Sequence, residues 1–191
     1  DQPSLWRASA GTDAKVGVVA GMCLGDPDVD ATFRMERSPH EVHGVSELLR
    51  SGIVVDPNTR TVFNSQNTAV IREFIPAWFM WPHVGRYDDI YASLIVQHLM
   101  RQRGYHVHFG QPFVWQQRNP HDLRKDLAAE IEGMNRVRKF GEWLNGSTPD
   151  GPVINQMRKL CAAIAQECSW MPTASIEAAY AWCDDCEKVL T

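Results

Sequence analysis

No stretch of this chain approaches the roughly 20 consecutive apolar residues that a membrane span requires. It has no excess of basic residues either: 19 Lys and Arg face 23 Asp and Glu, so nucleic-acid binding by general electrostatic attraction is not indicated. A phosphate loop, a Gly-x-Gly-x-x-Gly fingerprint and a Gly-x-Ser-x-Gly elbow are all missing. Their absence removes a P-loop nucleotidase, a Rossmann dinucleotide site and an α/β-hydrolase nucleophile from the candidates. There is no internal repeat and no low-complexity tract. No secretory segment is visible, and the five cysteines are an odd number. Both features point to reduced thiols and a cytoplasmic setting.

What remains is globular in balance, with 44% hydrophobic and 22% charged residues over 191 positions, enough for one domain of ordinary size. Val16 to Leu24 is short, apolar and rich in small residues, which predicts a buried strand. It runs into an acid-crowded turn with Asp26, Asp28 and Asp30. The polar stretch from Phe33 to Glu47 reads as loop. Residues 52–55 and 61–63 read as two strands of a hairpin closed by Asp56-Pro57-Asn58-Thr59. A short helix is expected from Thr68 to Phe74, ended by Pro76.

Asp88 opens a helix with apolar positions at Ile90, Tyr91, Leu94, Ile95 and Leu99, and Gly104 stops it. Tyr105 to Phe109 alternates as a strand, Gly110-Gln111-Pro112 turns, and Phe113 to Trp115 extends. Asn119-Pro120 marks a helix start, followed by apolar residues at steps of three and four from Leu123 to Leu144. Residues 145–152 form a linker, and two further helices cover Val153 to Cys168 and Thr173 to Leu190. The chain is therefore mixed α and β up to residue 145 and helical beyond it.

Chemistry concentrates in Gly85-Arg86-Tyr87-Asp88-Asp89. Adjacent carboxylates repel, so a fold keeps them only where something positive or hydrogen-bonding answers them. One reading is a helix cap with a second acid on the helix dipole. The other is a carboxylate that orients a sugar hydroxyl or acts as base, with Arg86 holding its neighbour or a phosphate. Asp26, Asp28 and Asp30 allow a solvated turn, a ligand site at a sheet edge, or ligands for a hard cation. His106 and His108 share one face of their strand without an obvious third metal ligand, while His121 is better placed for site chemistry. Cys183-Asp184-Asp185-Cys186 follows Cys161 and Cys168 on the preceding helix. Zinc on these four thiols would need a CxxC in a turn, so buried free cysteines are the expectation.

Four segments, in order, resemble the reversibly glycosylated polypeptides, the family of the plant UDP-arabinopyranose mutases. They are Gly21-Met22-Cys23-Leu24-Gly25-Asp26-Pro27-Asp28-Val29-Asp30-Ala31, then Asn67-Thr68-Ala69 with Arg72-Glu73-Phe74-Ile75-Pro76-Ala77. Gly85-Arg86-Tyr87-Asp88-Asp89 and Gly110-Gln111-Pro112-Phe113-Val114-Trp115 complete the set. The resemblance covers about residues 4 to 130. It implies the C-terminal part of a GT-A-like sheet-and-helix domain at residues 1–145, followed by a helical hairpin tail at 146–191. The half that would carry the uridine site and an Asp-x-Asp motif is absent from these residues.

By the same resemblance, the substrate is a nucleotide sugar, the acceptor a sugar or protein, and the cofactor a divalent cation, Mn or Mg. Asp88 and Asp89 then form the catalytic acidic pair with Arg86 as electrostatic partner. Asp28, Asp30, Asn67 and Trp115 contact substrate, and Arg7 is the nearest counterpart of the family's self-glycosylated arginine. Gln116 stands where the family has a histidine, which leaves His121 as the candidate metal ligand. The implied activity is a glycosyltransferase or sugar-nucleotide mutase. The alternative is a non-catalytic binding or scaffold module, alone or within a homo- or hetero-oligomer.

Overall fold

The computed structural model describes residues 13–37, 41–147 and 149–190. Its centre is a four-stranded mixed sheet in the order β2-β4-β1-β3. Strand β1 (Lys15–Gly25) lies parallel to β4 (Tyr105–Gln116) and antiparallel to the short β3 (Thr68–Val70), while β2 (Ile53–Val54) runs antiparallel to β4. Because β1 and β4 are parallel, their carboxyl ends finish at one edge, where Gly25 pairs with Gln116. The acidic turn leaves the sheet from that edge, and the Asp26 amide donates to the Gln116 carbonyl at 2.9 Å.

Helix α3 (Asp88–Arg101) connects the two halves of the sheet and is buried without interruption from Tyr91 to Met100. Its apolar residues spread beyond one face, so it has to be enclosed on all sides, and Ser93, Gln97 and His98 are buried with them. The sheet covers one flank through Val18 and Val107, and α4 (Leu123–Gly146) covers another through Phe140 and Leu144. Helices α5 (Val153–Glu167) and α6 (Thr173–Leu190) belong to the same core through Met157, Leu160, Ile164 and Ala179. Tyr91 meets Phe140 edge-on at 5.3 Å and Trp170 at 5.1 Å, so α3, α4 and the turn between α5 and α6 share one aromatic cluster. The tail is also tied by polar contacts. Trp182 donates to the Pro76 carbonyl at 3.2 Å, and Arg72 reaches the last carbonyls of α6.

The two final helices and strand β1 form where the residue pattern placed them, within a residue or two, although β1 is only partly buried, with Val19 39% exposed. Other segments differ, each for a physical reason. Residues 61–63 are not a strand, and β2 pairs with β4 instead of with them. The turn at Asp56 does form, with Thr59 donating to the Asp56 carbonyl at 2.8 Å. The chain beyond it crosses α3, where the Thr61 amide donates to the buried Gln97 at 3.1 Å. The segment read as a helix at 68–74 divides into β3 and a 3-10 helix at Arg72–Ala77 that contains Pro76 rather than stopping before it. A short 3-10 turn does not need the amide that proline lacks.

The stretch read as loop, Phe33 to Glu47, includes most of α1 (Ala31–Glu36) and the first residue of α2 (Glu47–Ser51), both too short to show helical periodicity. Gly110-Gln111-Pro112 does not turn. Between the Gly21–Gly110 and Cys23–Val114 pairs, β4 carries two residues more than β1, so the turn-forming residues sit in a bulge of one continuous strand. Helix α4 starts at Leu123 with Asp122 as its cap, accepting from the Arg124 amide at 3.1 Å, and not at Asn119-Pro120.

Gly133 on α4 allows close approach of the segment before α3, since a Cβ there would lie 2.2 Å from the Tyr87 ring. Alanine normally favours a helix over glycine by about 1 kcal/mol. Here overpacking against the ring outweighs that gain, and Gly133→Ala is expected to destabilise the protein by roughly 1–3 kcal/mol in urea denaturation. A stabilised variant would show that the ring moves aside freely.

Candidate functional site

Three elements meet at the carboxyl edge of the sheet. The loop after β1 brings Asp28 and Asp30, the segment before α3 brings Arg86 and Tyr87, and the first two turns of α4 bring Asp126 and Glu130. Arg86 is the centre of the arrangement. Its Nε donates to Glu130 Oε1 at 3.0 Å, its Nη1 to Asp126 Oδ1 at 3.4 Å, and its Nη2 lies 3.5 Å from Asp28 Oδ1. Arg118, its side chain almost enclosed, also donates to Asp28. Glu130 is 5% exposed at its side chain, and its second oxygen accepts the Ala31 amide at 2.8 Å. That amide opens α1, so the carboxylate satisfies a helix N-terminus as well as the guanidinium. Asp30 caps the same helix through the Phe33 amide at 2.9 Å. The Thr32 hydroxyl and that amide hold the Asp30 carboxyl below its usual range.

Around Arg86 lies a cleft of about 320 Å³ lined by Asp28, Asp30, Asn64, Tyr87, Asp89 and Glu130. Asp89 occupies the first turn of α3, and its Oδ2 accepts from both the amide (2.8 Å) and the hydroxyl (3.2 Å) of Ser65. Burial raises its carboxyl above the ordinary value. The Ser65 bonds oppose the shift, and the neighbouring Asp88 and Asp28 charges reinforce it. Tyr87 is likewise raised, by burial first and then by Glu130 and Asp30. The cleft thus combines a fixed cation, several hydrogen-bond acceptors and one carboxyl group biased toward its protonated form.

The residues singled out by sequence do not all gather here. Asp28, Asp30, Arg86 and Asp89 do. Asp88 sits beside Asp89 in the first turn of α3 but does not line the cleft. Asn67 donates to the Met22 carbonyl at 3.0 Å and packs on Gly21, where a Cβ would lie 2.3 Å from its amide nitrogen, so it joins β1 to β3. Trp115 is 58% exposed near the end of β4, against Gly25 and 6.3 Å from the His43 ring. His121 Nδ1 lies 3.0 Å from Asp126 and borders a separate cavity with Asp26, Arg34 and Arg118. Arg7 falls outside the described residues.

Glu130, Asp126, Arg118, Tyr87 and Asn64 were missed. Glu130 had a signal: it shares the inward face of α4 with Gly133 and Val137, where a lone glutamate must have a partner.

The donors do not fit a hard divalent cation, which needs several carboxylate oxygens free at once. The carboxylates here are already answered by Arg86, Arg118, His121, Ser65 or the amides of α1. Among the described residues no group of three His, Cys, Asp or Glu is arranged to hold a metal. Cys161, Cys168, Cys183 and Cys186 are free and buried. The Cys161 thiol is raised by its hydrogen bond to Cys183 and by burial. No helix among the described residues is long and apolar enough to cross a membrane. No family model matches the chain, and a search of curated proteins finds no match.

Two outcomes follow from this geometry. Glu130→Ala removes the acceptor for a partly buried guanidinium and for a helix amide, and is expected to cost about 2–4 kcal/mol in chemical denaturation. A loss of only a few tenths would mean that Arg86 does not depend on it. For Asp89, the raised carboxyl means that the fold binds its proton more tightly than the unfolded chain. That stabilisation is complete below the ordinary aspartate range and is lost as pH rises through the folded value. Asp89→Asn keeps an acceptor for Ser65 and cannot ionise. Its urea midpoint should therefore fall less than that of the wild type between the ordinary aspartate range and neutrality. Superimposable pH profiles would refute the shift.

Proposed function

We propose that this chain carries the acceptor side of an enzyme acting on a nucleotide sugar, a glycosyltransferase or a sugar-nucleotide mutase, on a GT-A-like scaffold. The observation that carries the reading is Asp89. It is a half-buried carboxyl at the rim of a cleft sized for a monosaccharide, with Oδ2 fixed by Ser65 and with Oδ1 making no hydrogen bond among the described residues. A transferred or rearranged sugar needs a base for one hydroxyl and acceptors that fix the others. Asp89 supplies the first, and Asp28 and Asn64 supply the second. The ordered resemblance to the reversibly glycosylated polypeptides supports the same assignment, since Arg86 and Asp89 fall within its Gly-Arg-Tyr-Asp-Asp segment.

Arg86 orients Asp28 and stabilises negative charge near the reacting sugar. The nucleotide and any Mn or Mg would be held by groups other than these carboxylates. Asp89→Asn in the intact protein is expected to lower transfer or mutase turnover by about 10²-fold or more, with a smaller effect on sugar binding. Unchanged turnover would sink the assignment of Asp89 as base.

A second reading, a non-catalytic binding or scaffold module, rests on one specific observation. Arg86 is shared among three carboxylates, which suits an architectural clasp. Calorimetry with UDP-sugars and Mn²⁺ separates the two. Binding that depends on Asp89 favours the enzyme, and a folded protein that takes up no nucleotide sugar favours the module.

A further inference from the structure

A second cavity, of about 600 Å³, opens beside the polar cleft. The two share Asp28, Val29, Val62, Asn64 and Ile90, so they form one continuous depression rather than separate sites. Their linings differ. The larger cavity is walled by Met22, Phe33, Val45, Leu49, Val62 and Phe109. Gln66 is occupied within the wall: its Oε1 accepts the Asp28 backbone amide at 3.0 Å and the Asn64 side-chain amide at 3.3 Å. Val62, at the junction, is 43% exposed although it is apolar. Each volume falls in the range of small-molecule sites, and such sites place a few polar groups at one end of a largely apolar wall.

We infer that the ligand is an amphiphile, with a hydroxylated sugar head in the acid-lined cleft and an apolar stem in the adjoining cavity. A glycoside carrying an alkyl or aryl group is such a ligand. The inference rests on the reading of the polar cleft as a sugar site and adds the chemical class of the group attached to that sugar. A free sugar or a wholly polar oligosaccharide would leave the apolar wall facing water. A stem that covers Leu49, Val62 and Phe109 removes that surface from solvent, and each buried methylene contributes about three- to fourfold in affinity. Cys23 lines the same cavity, 8% exposed, with its thiol raised by burial and by the Asp28 charge, so its alkylation is slow and a ligand in the cavity slows it further.

The test is calorimetry of the intact protein with matched methyl and n-octyl glycosides of glucose, galactose and xylose, below micellar concentrations, with n-octanol as the headless control. For at least one sugar, the octyl glycoside is expected to bind at least tenfold tighter than both the methyl glycoside and octanol. It should also slow alkylation of Cys23 by iodoacetamide while leaving the other four cysteines unaffected. Leu49→Glu, on the half-buried face of the short α2, should abolish the octyl advantage and leave methyl glycoside binding in place. Val45→Asp, in the preceding loop, serves if the first variant folds poorly. Equal affinity for octyl and methyl glycosides overturns the inference while the sugar site stands. Equal affinity for octyl glycoside and octanol overturns it by removing the sugar head, and the proposed function falls with it.

Discussion

The ion pair between Arg86 and Glu130 is the constraint on which the site depends. A glutamate almost wholly withdrawn from water is tolerable only when both of its oxygens are answered. One oxygen takes the Arg86 Nε and the other the first amide of α1. This carboxylate therefore fixes three pieces of chain that are distant in sequence: the loop after β1, the segment before α3, and α4. With those pieces fixed, Asp28, Asp30 and Asp89 are brought around a common space although no strand or helix holds them all. The site is an assembly of loop ends, and its precision comes from this buried electrostatic joint.

The sheet decides where that joint can form. Parallel pairing of β1 with β4 brings two carboxyl ends to the same edge, and the chain must leave it there through Asp26 and Gln116. Ligands in open α/β sheets collect at such edges because the loops are free to vary while the strands are not. Helix α3 then starts beneath the edge, pointing its N-terminal turn, with Asp88 and Asp89, toward the loops. Its remaining length is sealed in the core, so the acids cannot move far without disturbing Tyr91 and the aromatic cluster below.

Sequence reasoning recovered the elements whose physics is local. The apolar run of α3, the amphipathic tail helices and the apolar β1 all carry their own signal in periodicity and composition. It failed where pairing decides. Residues 61–63 look like a strand but cross a helix, and Gly110-Gln111-Pro112 looks like a turn but forms a bulge, because strand partners are not written in the segment itself. The same division holds at the site. Asp28, Asp30, Arg86 and Asp89 were legible as a crowd of charge near a helix start. Glu130 and Asp126 were not, because only tertiary packing brings α4 to them. Asn67 was read as a sugar contact, yet the glycine at position 21 and the Met22 carbonyl engage it as a sheet fastener.

Asp88 and Asp89 show how one sequence feature divides into two roles. Neighbouring positions on a helix point about 100° apart, so a pair at the first turn cannot both face one cleft. Asp89 turns inward, where burial raises its carboxyl and Ser65 holds it. Asp88 remains on the first turn outside the cleft, where its charge favours the helix N-terminus and also disfavours ionisation of its neighbour. Neither acid caps α3, since Tyr87 holds the cap position and no side chain hydrogen-bonds the first amides; what survives of the capping reading is the favourable placement of acids on the helix dipole. The outer acid lies on the helix dipole, and its field helps keep the inner one protonatable, which is the property the proposed role of Asp89 as a general base requires.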